Sequence, residues 1–149
     1  MSTCNKDQDF YKYFKENMTS LGLPVPDGFF NSQNAAVVNA AAILSALKII
    51  GPKATMAEIA GATVAIEKLA VLGALSASFY LGAVVGSIAV ATGRYLSCGS
   101  TIADFFAMAE KDGLLTPELR NHLNQYQIIF NSQIANRKSY GEMTRKATA

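Results

Sequence analysis

The chain has no tryptophan, one histidine, two cysteines and four prolines in 149 residues. Only 16% of its residues are charged, against about 25% in a typical soluble domain. Each shortage removes a class of function. Cys4 and Cys98 lie far apart and form no C-x-x-C pair. That spacing argues against a disulfide framework or a cysteine-built zinc site and fits synthesis in a reducing compartment. The lone His122 stands between Asn121 and Asn124 on the polar side of a helical stretch, where it reads as a solvated surface residue. No H-E-x-x-H, G-x-S-x-G or phosphate-loop pattern occurs. Asp104 and Glu110 have the spacing of an ordinary helix start and end, not of a paired acid and base. The expectation is a protein that is not an enzyme and needs no metal or cofactor. A net charge of +2, with lysines and arginines scattered, gives no footprint for nucleic acid.

The opening stretch "MSTCNKDQDFYKYFKENM" is polar and mixed in charge, without the basic start and apolar run of a secretory signal. The expectation is synthesis in the cytoplasm and, if the protein is exported, export by dedicated machinery rather than through a cleaved signal peptide. No alternating β-branched run bounded by turns is present, so the chain reads as all-α and as one domain, a small helical bundle around a long apolar central helix or helical hairpin.

Glycine and proline divide it. Phe10, Phe14 and Met18 recur at i, i+4 and i+8 in an amphipathic helix within residues 1–20. "GLPVPDG" then reads as an extended connector. An apolar helical core spans 32–97. Ser32 or Asn34 caps its first helix, which Gly51-Pro52 stops, and Thr55 with Glu58 forms a capping box. From there the helical pattern continues for about forty residues toward Arg94, with Gly61 and Gly73 as possible breaks, since a mid-helix glycine costs ~1 kcal/mol relative to alanine. C-terminal helices occupy 100–134, starting at Ser100 or Thr101, stopped by Gly113 and restarted by Thr116-Pro117-Glu118, with Leu119, Leu123, Tyr126 and Phe130 as the apolar stripe. Residues 135–149 read as a frayed basic tail.

The segment "LAVLGALSASFYLGAVVGSIAVATG", residues 69–93, contains no charge. As one helix it would measure roughly 37 Å, enough to cross a hydrocarbon core of about 30 Å. Ala70, Ala74, Ser78, Gly82 and Gly86 form a small-residue stripe, and Gly82 to Gly86 is a literal G-x-x-x-G, which lets helix backbones approach closely in lipid. On another side Gly73, Ser76, Tyr80, Ser87 and Arg94 form a mildly polar row, a candidate pore lining. In water such a segment has to be covered. The helix at 35–50 and the C-terminal helix are the expected cover, burying Leu72, Phe79, Val84 and Ile88.

The span "EKLAVLGALSASFYLGAVVGSIAVATGR", residues 67–94, resembles the glycine-zipper centre of the small pore-forming antibacterial effectors of type VI secretion systems. The resemblance covers about a fifth of the chain. It implies a toxin loaded into the ring-shaped chaperone of the secretion tube and delivered to a rival's periplasm. There it inserts in the inner membrane of the target cell as a homo-oligomer, forms ion-conducting pores and dissipates the membrane potential, and a cognate membrane immunity protein protects the producer. By position, Gly82 and Gly86 would match the zipper. The competing reading of the same residues is a soluble helical interaction protein, an adaptor or an immunity protein, whose apolar helix stays buried.

Overall fold

A computed structural model describes residues 6–62, 64–95, 109–111, 113–131 and 133–146. The fold is all-α. Its α-helices are α1 (Lys6–Ser20), α2 (Gln33–Ile50), α3 (Met56–Ala60), α4 (Ala77–Tyr95), α5 (Pro117–Gln125) and α6 (Ser139–Lys146), with 3₁₀ helices η1 (Val64–Leu72) and η2 (Gln127–Ile129).

Local chemistry accounts for most boundaries. In α1, Phe10, Phe14 and Met18 are fully buried while Lys12, Lys15 and Glu16 face out. The helix ends in a Schellman turn: Gly22 adopts φ +78°, its N–H donates to the Thr19 carbonyl at 2.9 Å, and Leu23 N–H donates to Met18 at 3.0 Å. Gly113 repeats the arrangement at φ +77°, with Leu114 N–H donating to the Ala109 carbonyl. Of the two candidate caps for α2, Ser32 is the one used, its Oγ accepting from Ala35 N–H at 3.1 Å. Thr55 and Glu58 form the reciprocal capping box of α3. Thr116 caps α5, with Pro117 at its first position. The expected helix start at Ser100 or Thr101 lies outside the described residues.

The long central helix is not continuous. Gly61 caps α3, residues 64–72 wind as 3₁₀, and Gly73 turns the chain at φ +58° before α4 begins. Both glycines lower helix stability, and the carbonyls past the break accept from the unpaired first-turn N–H groups of α3: Met56 N–H donates to Leu75, Ala57 N–H to Gly73, and Thr55 bridges Ser76. The expectation of one helix carrying the whole 69–93 stretch is therefore corrected. Only its second two-thirds belongs to α4.

The axis of the fold is α4. Leu81, Ala83, Val84, Val85, Ile88 and Ala91 are buried on every side of it, as an all-round apolar helix requires in water. Leu72, Val84 and Ile88 are buried as expected, and Phe79 is half-buried. The cover differs from expectation. The amphipathic α1 makes the most extensive contact with α4, ahead of α2, and α5 and η2 close the remaining side. Nor is the C-terminal stretch a frayed tail. Residues 139–146 are helical, with Tyr140, Gly141 and Thr144 buried. Gly141 N–H donates to the Leu21 carbonyl at 2.8 Å, and a Cβ there would lie 2.7 Å from the Leu21 and Gly22 oxygens, so only glycine lets α6 seat on the end of α1.

Candidate functional site

The charge-free stretch is the one feature that the sequence sets apart, and α4 with its cover is where the fold places it. The small-residue stripe divides at the Gly73 turn. Ala70 before it and Ala74 directly after it are exposed, both outside any α-helix. Ser78 lies in the first turn of α4 and donates to the Pro52 carbonyl at 2.8 Å. Gly82 and Gly86 are buried one turn apart on the same face. A Cβ on Gly82 would lie 2.5 Å from Cδ2 and Nε2 of His122, and one on Gly86 would overlap Cγ2 of Ile129. This close-approach face is occupied by the chain's own C-terminal segment.

The polar row does not face water. Gly73 is in the turn, and Ser76, Tyr80 and Ser87 are buried. Ser76 Oγ accepts from Phe79 N–H at 3.4 Å, and Tyr80 Oη donates to the Pro24 carbonyl at 2.7 Å. Ser87 Oγ accepts from Asn17 Nδ2 at 2.8 Å. Arg94 lies in the last turn of α4, with its side chain outside the described residues. The reason for the inward turn is hydrogen-bond supply: the 23–26 connector satisfies Tyr80, α1 satisfies Ser87, and Ser76 is bonded within the first turn of α4.

Two polar clasps hold the sheath. The first joins α1, α4 and the C-terminal segment. Asn17 Nδ2 donates to Ser87 Oγ and to the Ile129 carbonyl, both at 2.8 Å, and Asn17 Oδ1 accepts from Arg137 Nη2 at 2.5 Å. The guanidinium also donates to Ser20 Oγ and to the Ile128 and Ile129 carbonyls. The second is aromatic. Tyr140 Oη donates to the Phe79 carbonyl at 2.6 Å and contacts His122 Nε2 at 2.7 Å, which assigns the imidazole proton to Nε2. His122 packs edge-on against Phe79, with ring centroids 5.1 Å apart, and beside Tyr126 at 4.8 Å. Burial lowers its pKa to about 4. His122 is therefore not the solvated surface histidine that its asparagine neighbours suggest. It lies three residues after Leu119 and four before Tyr126, on the helix face that packs inward.

Asn17 also had a legible signal, since it follows Phe10 by seven residues and Phe14 by three on the buried face of α1. Arg137 had none: its role depends on where the chain returns.

Next to His122 is a half-open cavity of about 490 Å³ at the seam of α2, α4 and α5, walled by Leu44, Leu47, Leu81 and Leu119 with Lys48 at its side. Among the described residues, no group of three or more His, Cys, Asp or Glu is placed to hold a metal ion. No family model, no curated protein and no solved structure matches the chain.

Proposed function

We propose that the protein is an antibacterial toxin that inserts a helical pair, α2 with α4, into the target-cell inner membrane and conducts ions there. The observation that carries this reading is the pair itself. Helix α2 has the length and mean hydropathy of a membrane span, 18 residues at 1.4, yet only 33% of that window is buried in the water-soluble fold. Helix α4, packed against it, has no charged residue before Arg94. At ~1.5 Å per residue the two measure about 27 and 28 Å, close to the ~30 Å of a hydrocarbon core. Lifting α1 and the C-terminal segment away leaves an apolar hairpin and frees the Gly82–Gly86 face for a second copy. Tyr80 and Ser87 then lose the partners that the Pro24 carbonyl and Asn17 supply, and a water-filled lumen between copies is the environment that satisfies them again.

Delivery by a type VI secretion tube, its ring-shaped chaperone and a cognate membrane immunity protein belong to the same proposal, supported by the resemblance of residues 67–94. Expression in the periplasm through an added signal peptide is expected to stop growth and collapse the membrane potential. The same chain kept in the cytoplasm is expected to be tolerated. Indifference in both compartments would instead support a soluble helical interaction protein. One observation favours that second reading: Tyr80 and Ser87 are bonded as thoroughly as in a permanent core helix.

A further inference from the structure

Five large apolar side chains are exposed among the described residues: Val38, Ile49, Ile50, Val71 and Ile134. Ile49, at 80% exposure, and Ile50 end α2, and Val71, at 77%, lies in η1 within the stretch that leads from α2 to α4. The Thr55–Ser76 bridge, with Met56 N–H on Leu75 and Ala57 N–H on Gly73, laces the two halves of that stretch together. The turn after Ile50 and the turn after Leu72 thus share one end of the molecule. Val38 precedes Ile49 by eleven residues, about three helical turns, so it extends the apolar surface along the outer face of α2.

We infer that this turn end of the α2–α4 pair is the surface through which the protein docks on a bilayer carrying anionic headgroups. The inference rests on the membrane-inserting reading. Three lysines stand around the exposed aliphatics, Lys48, Lys53 and Lys68, all exposed. Of the acids in the same stretch, Glu58 is engaged by the Thr55 N–H and hydroxyl in the capping box, which leaves Glu67 as the other. Lysine stems lie along an apolar surface while their ammonium groups reach phosphate, so the two residue types fit the two layers of a membrane interface.

A protein partner would need different chemistry. Residues 48–76 contain no tryptophan, tyrosine, phenylalanine or arginine, the anchors on which protein interfaces concentrate their binding energy. Aliphatic side chains with lysines meet a lipid's requirements and few others. The location is also apt, because docking here would place the connection between the two apolar helices against the bilayer first.

The test is co-sedimentation of the purified chain with vesicles of phosphatidylethanolamine and phosphatidylglycerol, and with vesicles of phosphatidylcholine alone. The parent is expected to partition to the anionic vesicles. Ile49→Ser and Val71→Ser are each expected to weaken partitioning about tenfold, ~1.4 kcal/mol, within what burying such a side chain recovers. Both positions are exposed, so melting temperature should not fall. Lys48→Gln/Lys53→Gln/Lys68→Gln is expected to remove the preference for anionic vesicles, whereas Ile134→Ser is expected to change nothing. A serine variant that binds as the parent does would overturn the docking surface while leaving the membrane reading intact. Loss of a parent dimer in the serine variants, with vesicle binding unchanged, would reassign the patch to self-association and also overturn it. A parent that binds neither vesicle would contradict the membrane reading itself.

Discussion

Gly86 has Ile129 pressed against it closely enough that a single methyl group has no place to go. Gly86→Ala is therefore expected to destabilise the soluble fold by ~1–3 kcal/mol through overpacking. Ile129→Ala alone should cost ~2–5 kcal/mol for the cavity it leaves, but the two together should cost less than their sum. Urea unfolding of the four chains measures this coupling, and strict additivity would count against the contact. The other glycine of the pair lies under His122, whose titration gives the sheath a pH dependence. Burial sets the folded pKa at about 4, below the 6.5 of the free side chain. Between those values the unfolded chain binds the extra proton, so this contribution is complete above pH 6.5 and is lost as pH falls toward 4. The shift corresponds to ~3 kcal/mol at most. Unfolding free energy followed from pH 7 to pH 4 should fall, and the His122→Gln variant should show a shallower fall. Equal slopes would exclude His122 as the source.

At the scale of elements, helix caps were the most legible feature and helix continuity the least. Ser32, Thr55 and Thr116 act locally, within three residues of the N–H groups they serve, so each is readable without the rest of the fold. The helical pattern past Gly61 offered Gly61 and Gly73 as breaks without deciding between them; both are used, and what periodicity does not register is the pairing across them, from Met56 and Ala57 to Leu75 and Gly73. The dominance of α1 in covering α4 was half visible. Its apolar stripe is plain, but the polar member that fastens it, Asn17, bonds groups in residues 87, 129 and 137. Asn17→Ala leaves the Ile129 carbonyl with Arg137 alone and removes a partner from both Ser87 and Arg137. It is expected to cost ~1–3 kcal/mol and to raise protease sensitivity of α1 before the rest of the chain. Uniform cleavage, or protection equal to the parent, would show that the clasp does not hold α1 in place.

For the whole molecule, the proposed function sets an apolar pair, α2 with α4, against the segments that cover it, α1, α5 and η2. The sequence announced one member of the pair, the charge-free stretch 69–93, whose α4 part is buried, and assigned α2 to it only as cover. What the composition could not announce is that the polar row faces inward, because the partners that satisfy Tyr80 and Ser87 come from residues 24 and 17. The tail was misjudged for the same reason. Its lysines and arginines look solvated in sequence, yet Tyr140, Thr144 and Gly141 seat the last helix against the start of the chain. The sheath is thus fastened by hydrogen bonds, close glycine contacts and the buried face of α1, and the insertion we propose requires a membrane surface to outcompete them. The most direct test is to add the purified chain to potassium-loaded vesicles of phosphatidylethanolamine and phosphatidylglycerol, polarised with valinomycin and read with a potential-sensitive dye. Collapse of the potential in proportion to added protein is the predicted result; a potential that holds at full strength while the protein stays in solution would contradict the account.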